Sequence, residues 1–290
     1  MYIITGAAGF IGSNIVKALN DRGVDDILAV DDLSGGLNYR NLCDCRLADF
    51  LSPEELVDAI ETGALPTGIT AISHQGACSD TMERDGRYMF EVNYAFSKII
   101  AEYAVTHDIP LVYASSASVY GSGERFIAGP DAECPLNVYG LSKLVFDQHV
   151  RRMIGSVKST LVGLRYFNVY GPREAHKGRM ASMPYQLHRQ LAESGAARLF
   201  KGTDGYGDGE QRRDFIYVGD VVEANLHFMQ ADPPVRGVFN LGSGAARSFN
   251  DIAAALIAEH GQGRIEYFDM PESLHGKYQN FTEADLPQLL

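Results

Sequence analysis

The chain has 290 residues, 46% of them hydrophobic, and its 25 Lys plus Arg against 37 Asp plus Glu give a formal charge of −12. That length and apolar content suit one large domain or a cofactor domain with a smaller lobe, and the negative balance argues against a nucleic-acid surface or an anionic membrane as partner. Cys43, Cys45, Cys78 and Cys134 lack metal or disulfide spacing, no basic residue precedes Lys17, and no run of about 18 apolar residues occurs, so the chain reads as a cytoplasmic protein with reduced thiols.

In chain order, strands are predicted at "YIIT", "ILAV", "AISH", "LVYAS" and "LVGLRYF", each short and rich in apolar or β-branched residues. Between them, apolar residues at three-and-four spacing predict helices near Phe10 to Arg22, Glu54 to Glu61, Tyr88 to His107 and Val138 to Met153. This alternation is that of βαβ units, which right-handed crossovers wind into a doubly wound parallel sheet, a Rossmann arrangement. After Asn168 the rhythm changes, and the stretch Asp204 to Arg213, "DGYGDGEQRR", is too rich in Gly and charge for a core element. A dinucleotide-binding domain over 1–166 plus about 213–246 is therefore expected, with a smaller α/β substrate lobe over about 167–212 plus 247–290. "RDFIYVGDVVEANLHFM" is the strand and helix that should rejoin the first domain.

In "YIITGAAGFIG" a strand runs into Gly6, Gly9 and Gly12 and then a helix from Phe10. Glycines there let the backbone turn tightly and approach a pyrophosphate, which the helix N-terminus attracts. Asp31, closing the second strand, stands about 20 residues on, where a carboxylate bonds the adenosine ribose. A lone carboxylate favours a free 2′-hydroxyl and would repel a 2′-phosphate, and Arg40 is the only nearby cation before Arg46.

In "NVYGLSK", Tyr139 and Lys143 are four apart and share one helix face. Such a pair alone more often marks a solvated surface. Beside a glycine turn, and with Ser115 or Ser116 at the carboxyl end of "LVYAS", it points to catalysis, with an ammonium favouring the phenolate of Tyr139 as a general base. His74 is expected to pack near the cofactor, His176 to face solvent and Cys78 to fill space.

"TGAAGFIG", "VDD", "SSASVYG", "YGLSK" and "RDFIYVGDV" resemble the extended short-chain dehydrogenase/reductases that act on nucleotide sugars, and the likeness covers essentially the whole chain. It implies that Gly6, Gly9, Phe10, Ile11 and Gly12 hold cofactor phosphates, Asp31 and Asp32 the ribose, and Asp49 the adenine. Gln75, Gly76, Ala77, Cys78, Ser79, Asn93 and Val169 would line the cofactor further in, and Ser116, Tyr139 and Lys143 would be the catalytic trio. Dehydratases of this superfamily carry Asp-Glu after the catalytic hydroxyl, whereas Ala117 and Ser118 stand here, so elimination of water is not expected.

"HQGACSDTMERDGRYM", "RYFNVYGPREAHKGRMASM" and "GKYQNFTEADL" are similar to the ADP-heptose 6-epimerases of lipopolysaccharide precursor synthesis. That similarity implies epimerisation at C6 of an ADP-heptose by transient oxidation, with Lys177 as a second acid/base that also reaches the cofactor. It further implies substrate contacts from Ser116, Asn168, Arg179, Gln186, Phe200, Lys201, Gly202, Thr203, Arg213 and Tyr278. NADP is the cofactor implied, with NAD the other possibility, because Asn38 and Pro53 stand where basic residues are expected. No metal is implied, the assembly would be a homo-oligomer, pentameric by resemblance, and the chain would continue past "ADLPQLL". The alternatives are a UDP-hexose 4-epimerase, which would not need Lys177, and a non-catalytic nicotinamide-cofactor sensor.

Overall fold

The computed structural model describes residues 1–272 and 278–286. Its strands and α-helices in chain order are β1 (Tyr2–Thr5), α1 (Phe10–Asp21), β2 (Ile27–Val30), β3 (Asp49–Leu51), α2 (Pro53–Thr62), β4 (Ala71–His74), α3 (Gly86–Phe90), α4 (Phe96–Thr106), β5 (Leu111–Ser116) and α5 (Val138–Met153). The second half adds β6 (Leu161–Tyr166), β7 (Asn168–Tyr170), α6 (Met183–Ser194), β8 (Ala196–Phe200), β9 (Arg212–Tyr217), α7 (Val218–Met229), β10 (Arg236–Leu241), β11 (Ala246–Ser248), α8 (Phe249–His260) and β12 (Arg264–Phe268).

Among the described residues, seven strands form one sheet in the order β10-β6-β5-β4-β1-β2-β3. Every neighbouring pair in it is parallel. Alternate side chains leave opposite faces of a strand, so a sheet covered on both sides needs apolar residues at every position. Ile4, Ala29 and Val112 thus pack on one face with Val16 and Leu19 of α1 and Val221 and Leu226 of α7. Ile3, Leu28 and Leu111 pack on the other with Leu56 of α2, Ile100 of α4 and Phe146 and Val150 of α5.

Two smaller sheets, β11-β9-β7 and β12-β8, stand beside it. The predicted strand at Arg213 is β9, which pairs with β7 and β11 rather than joining the large sheet, while the following helix α7 packs against α1. Helices α6 and α8 start at serines whose hydroxyls accept from Tyr185 N and Asp251 N, and end at Gly195 and Gly261, whose left-handed φ stops each helix.

The single helix predicted over 88–107 is divided. Between α3 and α4, Glu91–Ala95 forms a π-turn, which turns the fully buried Asn93 side chain toward Cys78. The three-residue edge strand β3 is also absent from the sequence reading, being too short to show any alternation.

Candidate active site

In open α/β sheets ligands bind beyond the carboxyl ends of the strands where the winding reverses, here between β1 and β4. The loop after β1 carries Gly6, with φ +63°, and a Cβ added there would fall 2.7 Å from Gly76 N in the loop after β4. A Cβ at Gly12 would fall 2.0 Å from Gly6 O. The turn is thus open to glycine alone, and α1 begins after Gly9 with no side-chain cap, leaving its first N–H groups for a ligand. Phe10 is buried and Ile11 half-buried beside them.

Asp31 Oδ2 accepts from Ala8 N at 2.8 Å, which ties the carboxylate to the glycine turn, and burial raises its pKa to about 6. Asn38 Nδ2 donates to Asp31 Oδ1 at 3.3 Å, and its own buried Oδ1 has no partner among the described residues. Asp32 caps the next turn by accepting from Ser34 N, and Arg40 is exposed. Asp49 is set apart from this group. It opens β3 opposite Leu28, two register positions before Leu51, which pairs with Val30, and its Oδ1 accepts from Phe50 N.

Deeper in, Gly76 N donates to Thr5 Oγ1 at 3.1 Å, and Gln75 bonds Ser73, Asn225 and Tyr166. Cys78 and Asn93 exchange two hydrogen bonds, Ala77 beside Cys78 is half-buried and Ser79 exposed, and Val169 on β7 is half-buried. His74 is buried between Thr5 Oγ1 and Ser97 Oγ, and desolvation lowers its pKa to about 3, so it is a neutral packing group at physiological pH.

The pleat decides between the two serines. Ser115 Oγ donates to the buried Asp147 at 2.9 Å, whereas Ser116 hydrogen-bonds the Tyr139 phenol and Ser118. Helix α5 begins at Asn137, whose Oδ1 accepts from Gly140 N at 2.8 Å, and so delivers Tyr139 in its first turn and Lys143 in its second. Burial raises the Tyr139 pKa, and the Ser116 hydrogen bond opposes the rise. Lys143 is 4% exposed, and burial lowers its pKa to about 8 against the pull of Asp147. Its ammonium donates to Ala114 O at 2.9 Å rather than to the phenol. Ala117 and Ser118 occupy the 3-10 turn after β5 and bring no carboxylate to it.

Lys177 lies in the turn Ala175–Met180, with Nζ 5.3 Å from the centroid of the Phe10 ring and hence beside the glycine turn. Burial lowers its pKa. The turn is held by Glu174, 1% exposed, whose carboxylate accepts from Gly171 N, Ser182 N and Ser182 Oγ. His176 departs from the solvent-facing expectation: it is half-buried, its Nδ1 is 3.1 Å from Asn41 Nδ2, and burial lowers its pKa. Asn41 also donates to Ala8 O and Arg173 O, so this turn is stitched to the segment beside Asp31.

Arg213 on β9 is 8% exposed, its guanidinium 5.0 Å from the Tyr278 ring and 5.8 Å from Phe249. Burial lowers its pKa, and the Tyr278 hydroxyl bonds it. Tyr278 packs edge-on to Phe200 at the end of β8. Asn168 bonds Asp214 O and Thr282, and Thr203 Oγ1 is buried without a partner among the described residues. Other predicted substrate residues are already engaged: Arg179 with Asp80 at 2.7 Å, Gln186 with Ala181 O, Lys201 with Asp269 at 3.0 Å, and Gly202 N with Asp208. In "GKYQNFTEADL" the residues before Tyr278 lie outside the described residues.

A parallel sheet with a glycine turn, a carboxylate tied to that turn and a Ser/Tyr/Lys group at one edge has the form of a dinucleotide-binding α/β protein. A model of the NAD dependent epimerase/dehydratase family matches residues 2–242, and the chain belongs to that family. It is similar to the ADP-L-glycero-D-manno-heptose-6-epimerase of Helicobacter pylori, with a TM-score of 0.86 and 32% identity over 99% of this chain and 87% of that one. The Thermotoga maritima UDP-glucose 4-epimerase, solved with UDP-glucose, is similar at a TM-score of 0.80 and 26% identity, covering 99% and 90% of the two chains. The Thermus thermophilus UDP-glucose 4-epimerase complexed with NAD gives 0.73 and 26%, covering 97% and 94%. Among the described residues no helix is long and apolar enough to cross a membrane.

Proposed function

We propose that this chain epimerises ADP-D-glycero-D-manno-heptose at C6 to the L-glycero sugar, a step in lipopolysaccharide precursor synthesis. The observation that carries the reading is Lys177, a cation with a lowered pKa held over Phe10 beside the glycine turn. The 32% identity to an ADP-heptose 6-epimerase over 99% of the chain supports it.

C6 of the heptose is an unactivated secondary alcohol, whose C–H is far too weak an acid for direct deprotonation. A bound nicotinamide supplies the hydride acceptor and donor for inversion. Tyr139 takes the hydroxyl proton as the alcohol becomes a ketone, with Ser116 bonding the same oxygen. Turning the exocyclic group moves that oxygen across the site, and Lys177 returns the proton there. Arg213 and Asn168 hold the diphosphate side of the substrate.

The glycine turn, the uncapped α1 and Asp31 fit a nicotinamide dinucleotide. We favour NAD over the NADP first expected, because an ionised Asp31 beside a neutral Asn38 repels a 2′-phosphate, and Arg40 lies exposed. The family's description as NAD dependent agrees. Denaturing the purified protein and identifying the released nucleotide tests this, with NAD expected and NADP contrary.

For the reaction, the protein is given ADP-heptose and UDP-glucose separately and inversion is read by NMR. Inversion of ADP-heptose, lost in Lys177→Met, is expected. Turnover of UDP-glucose alone, with Lys177→Met unimpaired, would replace this reading by the 4-epimerase one.

A further inference from the structure

Helix α5 carries more than the acid/base pair. Tyr139, Lys143, Asp147 and Arg151 recur every four residues along it, so they run down one side of the helix. Asp147 is fully buried. Its Oδ1 accepts from Tyr113 OH at 3.0 Å, and its Oδ2 accepts from Ser115 Oγ at 2.9 Å and Arg165 Nε at 2.9 Å. Tyr113 and Ser115 belong to the strand that ends in Ser116, and Ser115 is the register partner of Arg165 on β6. Arg165, also fully buried, bonds Tyr120 OH at 3.1 Å and Glu133 Oε1 at 2.5 Å, and Glu133 returns to α5 through Arg151 at 2.5 Å.

We propose that Asp147 is a positioning residue: through Tyr113, Ser115 and Arg165 it locks the helix bearing Tyr139 and Lys143 onto the strand bearing Ser116, and so sets their mutual geometry. The proposal rests on reading those three as the reacting acid/base set. A buried ion network is a poor device for stability alone, because apolar side chains of similar volume fill the same space without desolvating charge. A fork of hydrogen bonds instead fixes direction, and here it joins the two elements that supply the trio. The two carboxylates and two guanidiniums of the network balance, leaving Lys143 as the additional cation beside it.

The charged and titratable groups facing Tyr139 and Lys143 are Asp147 on their own helix, Cys78 in the loop after β4, and neutral His74 at the end of β4. Asp147 holds the Lys143 pKa up. Without it helix and strand lose their lock, and the Ser116 hydrogen bond that opposes the rise of the Tyr139 pKa weakens.

The test uses the holoenzyme and Asp147→Asn, Asp147→Glu and the charge-preserving pair Ser115→Ala with Tyr113→Phe. Turnover of the nucleotide sugar gives kcat and KM separately. Tyrosinate absorbance against pH, with Tyr139→Phe as blank, gives the Tyr139 midpoint without any substrate. Asp147→Asn should lower kcat by about 100-fold with KM within about threefold, and raise the Tyr139 midpoint as the Ser116 hydrogen bond weakens. Asp147→Glu should recover part of both, and the paired variant should lower kcat by about three- to tenfold. A folded, cofactor-loaded Asp147→Asn with kcat and midpoint unchanged overturns the proposal. Should that variant fail to fold, an unchanged kcat and midpoint in the paired variant does so. If the unaltered protein turns over no nucleotide sugar, the functional reading fails while the Tyr139 midpoint still decides this one.

Discussion

In the Asp147 network each carboxylate meets a guanidinium, whereas the buried Arg213 and the half-buried Lys177 have no carboxylate of the described residues within ion-pairing distance. The first arrangement is complete before any ligand arrives. The second holds uncompensated positive charge in a chain of formal charge −12, a cost to folding that an anionic ligand would relieve. One region is therefore frame and the other receptor, and they should respond to substitution in opposite ways.

The largest effect expected is on chemistry at the receptor side. Lys177→Met should lower epimerisation by about 10²- to 10⁴-fold, the range for loss of a general acid or base, while leaving the melting temperature of the unliganded protein unchanged or higher. Activity assays beside thermal melts check both halves. The frame should show the reverse pattern: Arg165→Met leaves Asp147 buried without a cation, removes one of the two guanidiniums on Glu133 and should cost about 3–5 kcal/mol in urea unfolding. A loss under about 1 kcal/mol would mean that the network is not the frame described.

Arg213→Met keeps the stacking volume against Tyr278 and removes the charge. Calorimetric titration with the nucleotide sugar should show affinity falling about 10- to 100-fold, as for one lost charge-assisted hydrogen bond, with stability little changed. The smallest effect concerns Asp31, whose carboxyl is raised from 3.8 to about 6 by burial. A raised carboxyl favours the folded state below its unfolded value, and that contribution is lost as pH rises through about 6. A ribose hydroxyl needs the ionised form, so NAD affinity should weaken as pH falls below about 6, by at most about tenfold per pH unit. Asp31→Asn should flatten this dependence.

Local signals carried the frame a long way. The strands "YIIT" and "AISH" stand where their short apolar runs put them, and the helix over 138–153 stands where its three-and-four spacing did, being long enough to show its period. The choice between Ser115 and Ser116 was open in sequence, since strand alternation separates their faces without saying which one meets the helix. The π-turn escaped because one widened turn leaves the apolar spacing on both sides intact. Arg165 is the one charge within the apolar run "LVGLRYF". Its partners, Asp147 and Glu133, are 18 and 32 residues away, and only the sheet brings them together. Asp147 alone had a local clue, standing four residues after Lys143 on the same helix side.

The measurement that reaches the central claim most directly follows a deuterium label at C6 of the ADP-heptose through a full turnover in ordinary water. If hydride is borrowed and returned as proposed, with Tyr139 and Lys177 as the two acid/base groups, the inverted product retains the label at C6. Product that has lost the label to solvent would mean inversion by deprotonation and contradict the account.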